Sequence, residues 1–117
     1  MNNKGTANAL VVSVLCVEDD LQRFSRRLAS QVNQSRMHLA SVLATGTQVY
    51  PVRVDSLRGT ASILRCEFRM RNTGAPVTMH EAGDVMRRIT GVQVLEAHLV
   101  DADGNSVGTP LHMRAAC

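Results

Sequence analysis

LVVSVLCVEDDLQRFSRRLASQV, residues 10–32, joins a strand to a helix and decides what the rest of the chain must build. Leu10–Val17 is apolar at every position except Ser13 and rich in valine, which predicts a strand buried on both faces. Glu18-Asp19-Asp20 then opens a helix. Asp19 is the expected cap, and Gln22 follows three residues later. Leu21, Phe24, Leu28 and Val32 form one apolar stripe, with Arg23, Arg26 and Arg27 on the other side. The helix should end near Asn33–Ser35.

The following elements repeat the alternation of strand and helix. Met37–Ala44 is a second strand, with Leu39 and Leu43 on one face, Val42 on the other, and Thr45-Gly46-Thr47 as its end. Val49–Val54 either extends it or forms a short strand, confined to an edge or bulge by Pro51. Ala61–Arg71 alternates cleanly: Leu64, Cys66, Phe68 and Met70 point one way, and Arg65, Glu67, Arg69 and Arg71 the other. Thr78 followed by Glu81 is a capping box, and Met79, Ala82, Val85, Met86 and Ile89 supply a second helical stripe. Arg87 and Arg88 suit the end of that helix and Gly91 its C′ position. Val92–Val100 is the last strong strand, with Val92, Val94 and Val100 expected on one side and Leu95, Ala97 and Leu99 on the other. Asp103-Gly104 is a hairpin signal that would return an extra C-terminal strand through Val107–Met113, interrupted by Gly108 and Pro110.

The order β, α, β, β, α, β predicts an α+β fold: a ferredoxin-like βαββαβ sandwich, an antiparallel sheet with two helices on one face. The expected strand order is 4-1-3-2. Residues 1–9 are expected to be a flexible N-terminal arm, 10–101 the domain, and 102–117 a C-terminal hairpin or tail. Helices on one side leave the other face of the sheet open, part apolar and part lined by arginine. An exposed apolar patch of that kind marks an interaction surface.

The same order, with the acidic turn Glu18-Asp19-Asp20 after the first strand and a valine-rich final strand, resembles the ACT-like regulatory domains over Leu10 to Val100. Within that group the cytosolic C-terminal domain of the MgtC/SapB family is the most similar in pattern. The resemblance implies a regulatory domain that binds an effector. ACT domains that bind amino acids place a glycine where this chain has acids, so no family site residue carries over.

Composition sets the outer bounds. Hydrophobic residues make up 44% and charged residues 20% of 117 positions, enough for one core without a metal or disulfide staple. The formal charge is +3, and all but Lys4 of the 13 basic residues are arginine. Arginine suits two-pronged binding of planar anions, although a bias in genomic base composition gives the same count. Cys16, Cys66 and Cys117 are odd in number and scattered, which argues for a reducing compartment. No apolar run approaches the ~20 residues that span a bilayer. A cytoplasmic protein without membrane insertion is expected.

The candidate ligand-binding residues are Arg65, Arg69 and Arg71, with Glu67 among them. Sheets that read RNA stack bases on aromatics, and only Phe24, Phe68 and Tyr50 are aromatic here, so RNA or DNA is the second choice of partner. Glu18, Asp19 and Asp20 fit a helix start better than a cation site. Asp101, Asp103 and Asn105 lack the glycine and distant glutamate of a calcium loop. His38, His80, His98 and His112 have no ligand spacing, and no glycine-rich phosphate loop or nucleophile elbow is present. No catalytic residue, metal or cofactor is expected. The expected function is a small regulatory or protein-interaction domain that forms a homodimer and binds a small anionic ligand.

Overall fold

In the computed structural model, which describes residues 6–18, 20–51, 58–108 and 110–111, the apolar run forms β1, Ala9–Cys16. The chain continues through α1 (Leu21–Gln31), β2 (Met37–Pro51), β3 (Arg58–Met70), α2 (Met79–Arg88), β4 (Gln93–Val100) and β5 (Ser106–Val107). One sheet holds all five strands in the order β2-β3-β1-β4-β5, every neighbouring pair antiparallel. Read from the other edge, the first four strands stand 4-1-3-2. The strand with apolar residues on both sides therefore sits in the middle, where both faces can be buried.

One face of the sheet carries the main core. Leu10, Val12, Val14 and Cys16 of β1 join Leu64, Cys66 and Phe68 of β3 and Ala97 and Leu99 of β4. Phe24, Leu28 and Val32 from the first helix region and Ala82, Val85 and Ile89 from the second pack into the same cluster. Both helices thus cover one face.

The helix ends are set by side chains. Asp20 caps α1, its carboxylate accepting from the Arg23 amide at 3.1 Å; Asp19, the expected cap, lies outside the described residues. The helix stops at Gln31, earlier than expected, with Val32 as its cap. There the buried Ser35 hydroxyl donates to the carbonyls of Val32 and Met37 and turns the chain into β2. Thr78 caps α2 as the capping box predicts: its hydroxyl oxygen accepts from the Glu81 amide at 3.3 Å and bonds the Glu81 carboxylate. Gly91 has a left-handed φ of 77°, but it stands two residues past the cap Ile89 and not directly after it. Ile89 turns into extended backbone to bury its side chain, and Gln31 binds the main chain and hydroxyl of Thr90, tying the two helix ends together.

Two strands depart from simple alternation. Thr45-Gly46-Thr47 does not end β2, which runs on to Pro51. Ala40 and Thr45 are each the extra residue of a bulge, since pairing steps from Leu39↔Phe68 to Ser41↔Glu67 and from Ala44↔Leu64 to Gly46↔Ile63. The Thr45 hydroxyl donates to the Ile63 carbonyl at 3.2 Å. The first bulge puts Leu39 and Val42 on the helix side and Leu43 on the other, correcting the expected split. In β4, Glu96 pairs with Ser13 and Val94 with Val14, which leaves Leu95 as the extra residue. Val94 therefore shares the helix side with Ala97 and Leu99, and Leu95 leaves the group expected for it.

Both ends of the described chain are fastened to the sheet. Ala7 is buried, its carbonyl accepts from Val77, and Asn8 donates to Val100, so residues 7–9 of the expected arm belong to the domain. Asp101 organises the last turn by accepting from the amides of Asp103 and Asn105, and Gly104 takes a φ of 85°. Among the described residues the returning strand is Ser106–Val107; Thr109, His112 and Met113 of the span expected for it lie outside them. It stops where Gly108 turns with a φ of 72°; pairing resumes when Leu111 donates to Ala97.

Candidate functional site

The face of the sheet opposite the helices is built in four rows, read from residues directly opposite one another across β2, β3, β1 and β4. His38 lies beside Arg69, and Ala9 beside Val100. Ser41, Glu67, Val11 and His98 form the next row, then Leu43, Arg65, Ser13 and Glu96, then Gly46, Ile63, Leu15 and Gln93.

This face is less apolar than the strand patterns suggest. Ala9, Val11 and Val100 form a small buried cluster of their own. Long polar neighbours flank its centre, because Glu67 and His98 stand on either side of Val11. Open apolar surface gathers at the other end of the face. Leu43 is 55% exposed there, near half-buried Leu15 and Ile63.

Of the four candidate ligand-binding residues, three come together. Glu67 accepts from Arg65 Nη1 at 3.4 Å and from Arg69 Nε at 2.7 Å, so one carboxylate serves two guanidiniums. The Glu67 side chain is 16% exposed, and Arg65 and Arg69 are 35% and 49% exposed. Each arginine keeps donors toward solvent, but much of the local positive charge is already balanced. Arg71 lies apart from them. Its guanidinium donates to the carbonyls of Asn33 and Ser35 at 3.0 and 3.2 Å, clamping the α1–β2 turn.

Glu96, His98 and His38 also share this face, although the sequence offers the two histidines only as metal ligands without ligand spacing. The first two alternate with Val100 without interruption, and the bulge at Leu95 takes Val94 away from their side. Glu96 is exposed and forms no salt bridge among the described residues.

The other groups weighed from sequence take local roles. Glu18 accepts from Arg27 at 2.6 Å, and Arg27 stacks over Phe24 with its guanidinium carbon 5.4 Å from the ring centre. Asp84 accepts from Arg88 at 3.1 Å and forms a longer ion pair with Arg87 at 3.6 Å. Among the described residues no three His, Cys, Asp or Glu side chains gather as a metal site, and no helix is long and apolar enough to cross a membrane. His112 and Cys117 lie outside the described residues. Cys16 and Cys66 are buried free thiols; Cys16 pairs with Ser62 and Cys66 with Val12, four residues away along β1. At a strand's rise that is about 13 Å, too far for a disulfide. Burial, with a smaller contribution from charge on Cys16, pushes the Cys66 thiol up to about 12.

Comparison with protein-family models, with curated proteins and with solved structures gave no match.

Proposed function

We propose that this chain is a small interaction domain of ferredoxin-like, ACT-like architecture that self-associates through the open face of its sheet. The observation that carries the reading is that no described helix covers this face. Both helices lie on the opposite side, and Leu43, Leu15 and Ile63 adjoin a row of alternating charge. Such a surface suits another protein surface better than a free anion, because Glu67 already answers Arg65 and Arg69. A two-fold pair is the commonest assembly of identical chains. Light scattering at tens of micromolar should report twice the chain mass; the mass of a single chain there would remove the reading. A reducing, cytoplasmic setting belongs to the same proposal and is supported by the buried free thiols.

The solvent-facing donors of Arg65 and Arg69 favour a second reading, a regulatory domain that captures a small anion. Calorimetry with phosphate and a dicarboxylate should then show binding that Arg69→Ala weakens. Nucleic acid would use the same two arginines. A mobility shift with mixed oligonucleotides at low salt, lost in Arg65→Glu with Arg69→Glu, would put that reading first.

A further inference from the structure

The order of charges across the open face says which way round a second copy sits. β3 and β4 flank β1 at equal spacing, about 4.8 Å on either side. A two-fold axis lying along β1 therefore lays β3 of one copy over β4 of the other while each residue stays in its own row. In the third row this sets Arg65 against Glu96 of the other copy, twice, with Ser13 on Ser13 at the axis. In the second row it sets Glu67 against His98, twice. In the fourth it stacks Leu15 on Leu15 and lays Ile63 over Gln93 of the other copy, twice.

We infer that the partner of this face is a second copy of this chain, related by a dyad along β1 near Ser13 and Leu15. The inference rests on the self-association proposed above and adds its geometry. Two observations favour this axis. Glu96 is an exposed carboxylate with no salt-bridge partner among the described residues, and Arg65 is held only at 3.4 Å by a carboxylate it shares with Arg69. A dyad running across the strands would instead set Arg65 against Glu67, which both arginines already occupy. Aligned packing of two sheets, about 10 Å apart, leaves room for such pairs between the inner faces.

The test uses charge reversal, read by sedimentation velocity on the full chain, with circular dichroism confirming the fold of each variant. Wild type should be a dimer. Arg65→Glu sets Glu against Glu, and Glu96→Arg sets Arg against Arg, so each variant alone should dissociate about tenfold or more readily. Mixing the two variants restores both pairs, and the mixture should form a heterodimer about as tight as wild type. An independent variant, Ser13→Cys with Cys117→Ser, should give a covalent dimer with a short bis-maleimide. A monomeric wild type overturns both the self-association and its geometry. A dimeric wild type whose single reversals bind as tightly, or whose mixture fails to recover, overturns the dyad alone. The same holds for a dimer that the Ser13→Cys variant does not cross-link.

Discussion

Cys66 stands opposite Val12 on one side and Val42 on the other, fully buried at the centre of the sheet. Its thiol stays neutral in the folded chain up to about pH 12, whereas an ordinary thiol ionises near 9. The unfolded chain therefore loses this proton first. The thiol's contribution to stability is complete below pH 9 and disappears as pH rises toward 12. Iodoacetamide at pH 8 should leave Cys66 unmodified in the native protein and label it once urea unfolds the chain; equal labelling in both states would contradict its burial. At the start of α2 the sign is opposite. The Thr78 hydroxyl, the largest influence, holds the Glu81 carboxylate below its ordinary value. The cap is complete above the unfolded value and is lost as pH falls through the folded one. Thr78→Ala should cost on the order of 1 kcal/mol near neutrality, and the gap between its denaturant midpoint and that of wild type should narrow in acid. Such caps are legible in sequence because they depend on residues three apart.

Strand boundaries and facing were less legible, for a reason visible in β2. Its residues were assigned to faces by strict alternation, but the bulges at Ala40 and Thr45 each add a residue and reset the phase. A bulge is fixed by the partner strand, and nothing within five residues of Ala40 announces it. Alternation groups Leu43 with Leu39 for this reason, and Val94 with Val100 because it misses the matching shift at Leu95. Arg65, Glu67 and Arg69 were found together because β3 alternates without interruption from Ser62 to Phe68 against β1. The two neighbours Val42 and Leu43 give the experiment. Val42→Asp puts a charge against the core cluster and should cost several kcal/mol. Leu43→Asp lies on surface exposed in the single chain and, on protein dilute enough to be monomeric, should change stability by about 0.5 kcal/mol or less. Thermal melts with the opposite ranking would show that the first bulge is misplaced.

At the scale of the whole molecule, the order of elements was the most readable property, because two strand–helix units with short connections leave few ways to pack. The open face was readable in outline; its charge pattern needed the register. The central position of β1 has a further consequence during synthesis. β1 leaves the ribosome well before β4, but Ala9 pairs with Val100 and Leu10 with Leu99. Until β4 emerges, the most apolar strand of the protein keeps one edge unpaired, and such edges template pairing between chains. A chain stopped after Gly91 lacks β4 entirely and should collect in the insoluble fraction of a cell-free translation. Adding residues 92–111 back to the end should return it to the supernatant. A nascent-chain binder that shields apolar segments should therefore protect this protein most in the interval between its second helix and its last long strand.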